Sequence, residues 1–264
     1  MANKAVISLS GGLDSTMLLM KLLSEGKEVR AYSFDYGQKH DIELKKVKKN
    51  IKFLQKKGLP VSHQIINVRD CFSDSASSLH KNGGDIPKDR YDSSNQKSTV
   101  VEQRNVIFSA IIYGKALAWS KKADCDVVIS LGVHSNDTGM YPDTTPESVN
   151  MARELFRISN WGSERVDYIA PFQDLKKNEV LKCGVEAMKL MGFTKSNIKR
   201  ILINTHSCYD PNDKGESCGK CGTCQERIAS FALNDMKDPI SYSINHNELE
   251  MLYNQYKENG LKKD

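Results

Sequence analysis

Short apolar runs alternate along this chain with longer stretches whose apolar residues recur at helical spacing. Lys4 to Leu9, Val29 to Phe34, Val61 to Val68, Val127 to Leu131 and Tyr168 to Ala170 have the length and composition of strands. Between them, Ser15 to Leu23, Asp41 to Gln55, Val106 to Ser120 and Lys177 to Met191 read as helices. That order predicts an α/β fold with a parallel sheet covered on both faces and ligands at the carboxyl ends of its strands. From about Asp70 to Thr99 the periodicity fails amid serines, Gly83-Gly84 and Pro87, which predicts a long surface excursion of the kind used as a lid or binding element. Residues Asn247 to Asp264 read as one amphipathic helix through Leu249, Leu252, Tyr253 and Tyr256.

Composition narrows the class. With 264 residues, 39% hydrophobic and 27% charged, the chain can bury a sizeable core. The net charge of +5 is modest, and much of the lysine lies between Lys39 and Lys57 on the polar side of a stripe formed by Leu44, Val47, Ile51 and Leu54. A solvated helix face accounts for it, so no nucleic-acid partner is called for. The longest apolar region, Val106 to Trp119, is interrupted by Ser109, Gly114 and Lys115 and is too short for a membrane span. No secretory signal opens the chain, so a cytoplasmic location is expected.

The first candidate chemistry follows the first strand. Ser10-Gly11-Gly12-Leu13-Asp14-Ser15 places a glycine turn at a helix N-terminus, where backbone N–H groups and the helix dipole favour a polyphosphate. Neither G-x-x-x-x-G-K-[ST] nor G-x-G-x-x-G occurs. The spelling S-G-G-x-D-S resembles the pyrophosphatase loop of enzymes that split ATP to AMP and pyrophosphate. The second candidate is a cysteine cluster, Cys208, Cys218, Cys221 and Cys224, with Gly219 and Gly222 in its turns. Four thiolates suit a closed structural zinc site; an iron–sulfur cluster and a redox thiol pair are the alternatives. Cys71, Cys125 and Cys183 read as ordinary buried or partly buried thiols.

Loop and cluster together resemble the 7-cyano-7-deazaguanine synthase family, and intervening segments agree. Ser33 to His40, Arg104-Asn105, Asp137 with Tyr141-Pro142-Asp143, and Leu175 to Glu179 match its motifs in order, so that the similarity runs from about Lys4 to Phe231. The resemblance implies an adenine nucleotide alpha hydrolase-like fold. Residues 1–205 would form the ATP pyrophosphatase-loop domain, 206–235 the zinc knuckle and 236–264 a helical tail. ATP would be held by Ser10, Gly11, Gly12, Asp14, Ser15 and Thr16, with Phe34 and Gly132 beside the nucleotide. Lys177 would neutralise the departing pyrophosphate, and Asp14 would hold Mg²⁺ or cap its helix. Arg104, Asn105, Asp137, Tyr141 and Asp143 would hold a deazaguanine substrate, the two aspartates receiving its N–H edge. In that family ATP adenylates the carboxylate of 7-carboxy-7-deazaguanine, ammonia displaces AMP, and a second activation dehydrates the amide to a nitrile; homodimers are common.

The chain departs from that pattern at Glu102, Gln103, Thr144, Thr145 and Ser148. These changes adjoin the expected substrate pocket and predict an altered acceptor side. They leave open a sibling enzyme that stops at the amide or passes the activated carboxylate to another amine, such as one on a polypeptide. A tRNA-modifying enzyme that adenylates a base and a non-catalytic zinc module are further alternatives. The first lacks an added RNA-binding domain or catalytic cysteine pair here, and the second has no use for Ser10 to Ser15.

Overall fold

The computed structural model describes residues 2–88, 96–135 and 141–260. Five strands form one parallel sheet: β1 (Lys4–Ser8), β2 (Glu28–Asp35), β3 (Val61–Asn67), β4 (Val127–Ser130) and β5 (Val166–Ile169), in the order β3-β2-β1-β4-β5. The chain winds outward from β1 through β3 and then crosses to β4. The order therefore reverses between β1 and β4, where an α/β sheet opens a crevice at its carboxyl edge.

Eight helices are described: α1 (Leu13–Ser24), α2 (Ile42–Lys56), α3 (Arg104–Ala123), α4 (Pro146–Ile158), α5 (Lys177–Leu190), α6 (Lys195–Ile203), α7 (Gly222–Ala232) and α8 (His246–Asn259). Strand alternation divides the interior in two. Ala5 and Ile7 of β1 pack with α1, α2, α5 and α6, while Val6, Tyr32 and Ile129 face α3 and α4. The expected stripe Leu44, Val47, Ile51 and Leu54 is the buried face of α2. Helix α5 lies tight against α1: a Cβ on Gly184 would come within 2.2 Å of Met17 Sδ, so only glycine admits this approach.

The strand and long-helix expectations hold within a few residues. Helices α4, α6 and α7 were not anticipated. Helix α4 opens on Thr145, whose Oγ1 accepts from Ser148 N at 3.2 Å, with Pro146 next. Helix α6 is short and opens on a reciprocal cap between Thr194 and Asn197, and α7 begins at Cys221, inside the cysteine cluster. The stretch between Asp70 and Thr99 is no simple surface excursion. Phe72, Leu79 and Ile86 are buried in the core beneath α3, and His80 bridges to Gln38. Its apolar anchors are too widely spaced to show periodicity. Cys125 and Cys183 are half-buried, but Cys71 is exposed, contrary to expectation. The tail helix ends at Asn259, followed by Gly260 at φ +64°.

Candidate active site and metal centre

The turn after β1 is built on Gly11, whose φ of +96° is left-handed. A side chain there would stand 2.8 Å from Val47 Cγ2 and 2.9 Å from the Glu43 carbonyl oxygen. Gly12 then starts α1. No side chain caps this helix, leaving its first-turn N–H groups and dipole to an anion. Ser10 Oγ lies 3.0 Å from Ser15 Oγ and accepts from Gly12 N at 3.1 Å, which fixes the loop. Gly132, after β4, closes the other side, its Cβ position 3.4 Å from Ser15 Cα.

Lys177 begins α5, where a cation opposes the helix dipole. Only 5% exposed, it is held by two carboxylates, Asp14 and Glu226, each at 3.2 Å from its Nζ. Asp14 does not cap α1. Burial would push its carboxyl up, but Lys177 and buried His134, whose Nε2 is 3.6 Å away, outweigh that and hold it below the ordinary carboxylate range. Asp14 Oδ1 has no hydrogen-bond partner among the described residues. The segment that delivers Lys177 is tied to the β4 loop, where Ser135 N and Oγ both donate to Leu175 O, at 2.9 and 2.8 Å.

A cleft of about 300 Å³ opens beside these groups. Of the expected residues, Ser10, Gly12, Asp14, Ser15, Phe34, Gly132, Arg104, Asn105, Tyr141, Asp143 and Lys177 line it. Gly11 instead faces α2, and Thr16 is buried, its Oγ1 donating to Gly12 O at 2.8 Å. Asp137 lies outside the described residues. Phe34 stacks on Phe108 at 3.9 Å with ring planes 8° apart. Arg104 follows Gln103, a residue in the left-handed region at φ +54°, and its Nη1 donates to the Tyr36 hydroxyl at 3.3 Å. Of the departing residues, Thr144 and Ser148 line the cleft; Thr145 caps α4 and Glu102 accepts from Ser75 Oγ at 2.7 Å.

Sequence reasoning assigned no individual role to His40, Glu43, His206, Tyr209 and Glu226, which also line the cleft. A signal for one existed: Glu43 falls on the apolar stripe of α2, where a carboxylate has no place in a purely structural helix. Burial raises it from 4.5 to about 8, against the Gln38 amide and Arg104. Burial, with His206 and Arg104 nearby, lowers His40 to about 3.

The four cysteines converge, their sulfurs within 4.8 Å of one another. Cys218 N and Asp210 N donate to Cys208 Sγ at 3.2 and 3.3 Å, and Cys221 N to Cys218 Sγ at 3.3 Å. Sulfurs at about 2.3 Å around a tetrahedral ion lie roughly 3.8 Å apart, and Cys218 Sγ to Cys224 Sγ is 3.9 Å, so the residues fit a metal. Just beyond, Arg227 is fully buried, donating to both Asp238 oxygens at 2.6 and 3.0 Å and to Thr205 Oγ1 at 2.8 Å.

Comparison with known proteins fits this arrangement. Residues 4–235 match the model of the family described as queuosine biosynthesis protein QueC. The chain belongs to this family. It is 36% identical over 242 residues, 92% of its length and 100% of the relative's, to 7-cyano-7-deazaguanine synthase 1 of Colwellia psychrerythraea. To the 7-cyano-7-deazaguanine synthase of a Marinomonas species it is 35% identical over 92% of its length and 99% of the relative's. Among solved structures, a 4-thiouridine synthetase–RNA complex with bound ATP aligns over 97% of this chain and 53% of that one, at 14% identity and a TM-score of 0.44. No described helix of the QueC-family chain is long and apolar enough to cross a membrane.

Proposed function

We propose that this chain is an ATP-dependent 7-cyano-7-deazaguanine synthase that adenylates the carboxylate of 7-carboxy-7-deazaguanine. The observation that carries the reading is the buried Lys177, held between Asp14 and Glu226 beside an uncapped phosphate loop. A carboxylate is a poor electrophile, and transfer of AMP gives it a leaving group. Its oxygen attacks the α-phosphorus while the loop N–H groups and Lys177 receive the charge growing on pyrophosphate. Arg104 has the fork geometry to hold the substrate carboxylate near that line. Asp143 suits the N–H edge of the base, and Tyr36 and Tyr209 supply flat walls. Ammonia then displaces AMP, and the amide oxygen repeats the attack to reach the nitrile.

Asp14 and Glu226 are the carboxylates available to Mg²⁺, which would offset phosphate charge when bound with ATP. The cysteines would hold structural Zn²⁺, with no position left open for substrate. The local duties of Thr145 and Glu102 weaken the case for an altered acceptor, which now falls to Thr144 and Ser148. The test is carboxylate-dependent exchange of labelled pyrophosphate into ATP. Exchange that requires the deazaguanine carboxylate supports the reading, and release of ADP and phosphate contradicts it.

A further inference from the structure

Forming the amide sheds protons, and among the described residues the carboxylates at the phosphate end of the cleft, Asp14 and Glu226, are both engaged by Lys177. Asp14 is paired with Lys177 and its pKa is held low. The wall formed by the start of α2 is different. Glu43 Oε1 accepts from Gln38 Nε2 at 3.2 Å, while Oε2 stands 3.9 Å from His40 Nε2, beyond hydrogen-bond reach. His40 Nδ1 is buried with no hydrogen-bond partner among the described residues, and the His206 ring, also buried, lies against the Cys208 backbone. All three side chains line the cleft that also holds Asp14 and Lys177. The base of Glu43 abuts the phosphate loop, since a Cβ on Gly11 would lie 3.2 Å from Glu43 Cβ. A bare carboxylate there would repel a polyphosphate. A carboxylate beside two imidazoles, each with an acceptor nitrogen, complements a small cation rich in N–H donors.

We propose that Glu43, His40 and His206 form the site of the incoming ammonium ion, and that Glu43 takes its proton. This rests on the adenylation reading above and deepens it: the acceptor is ammonium, a small cation that suits three side chains which are themselves buried. Ammonium passes one proton to Glu43 Oε2. The freed lone pair of ammonia forms the C–N bond, and the bond from the acyl carbon to the AMP oxygen breaks with its electron pair on AMP. A second proton passes from the new amide nitrogen to the departing phosphate, so AMP leaves as a monoanion. The titratable and charged groups facing Glu43 are Tyr36 and Arg104 across the cleft, His40 and Asp41 ahead of its helix, and His206. With the carboxyl titrating at about 8, its basic form fades as pH falls through that value.

The test compares two half-reactions in Glu43→Gln, with ammonium chloride as the amine. Amide formation is expected to fall at least about a hundredfold, the scale of a lost general base, while carboxylate-dependent pyrophosphate exchange slows far less. His40→Asn should raise the half-saturating ammonium concentration, and decides the matter if Glu43→Gln does not fold. Equal loss of exchange and amide formation, or unchanged ammonium saturation in His40→Asn, overturns the proposal. Wild-type protein without exchange would instead remove the adenylation reading on which it stands.

Discussion

Lys177 shows how a single residue can contradict its local context in a telling way. A lysine at the first position of a helix is normally solvated, and the dipole there disfavours it. Its burial between Asp14 and Glu226 makes sense as a charge waiting for phosphate. Lys177→Met is therefore expected to lower turnover on the order of a hundredfold, in the range of a lost transition-state donor. A change below threefold in steady-state rate would refute that role. Glu43 permits a second prediction, on stability. The folded chain keeps this proton up to about pH 8, whereas the unfolded chain releases it near 4.5. The folded state thus binds more protons in that window, and stability falls as pH rises through it, by up to about 1.4 kcal/mol per pH unit. His40, lowered by burial, works in the opposite sense only below about 6.5. Urea melts between pH 6.5 and 8 should therefore show a decline that Glu43→Gln abolishes; parallel slopes for the two proteins would contradict it. The burial of Lys177 was not visible in the sequence. Lys177 was found through its motif, and Glu43 was passed over although its place on the α2 stripe marked it.

Among the elements, the contact of α1 with α5 matters most, because it brings Asp14 and Lys177, at the first turns of the two helices, within reach. Gly184 is the point where the helices touch. Gly184→Val should force them apart, costing about 1 to 3 kcal/mol as overpacking does, and should weaken ATP binding along with stability. A thermal melt and an ATP titration of the variant check both effects. Unaltered stability would mean that the approach is not tight. The long helices and all five strands were legible because periodicity persists over several turns or within a clear apolar run. Helices α4 and α6 were missed because their signals are caps, Thr145 with Pro146 and Thr194 with Asn197, on short segments. Thr145, a departure from the family pattern beside the expected pocket, serves plainly as a helix start.

On the scale of the whole molecule, the cysteine cluster and the proposed nucleotide site share one helix. Helix α7 starts at Cys221, carries Glu226 to Lys177, and locks Arg227 onto Asp238 and Thr205. Loss of the expected metal should loosen the nucleotide site without touching it chemically. Cys221→Ser is expected to lower the melting temperature first and turnover in proportion to unfolding. Normal stability with turnover abolished would assign the cluster to the chemistry instead. The order of the motifs along the chain announced that site and knuckle belong together; their joining through Glu226 is a product of tertiary packing that no spacing encodes. The most direct test of the account is the product balance from 7-carboxy-7-deazaguanine, ATP and ammonium. Two AMP and two pyrophosphate for each nitrile formed is the predicted result, and ADP with phosphate, or accumulation of the amide after a single AMP, would contradict it.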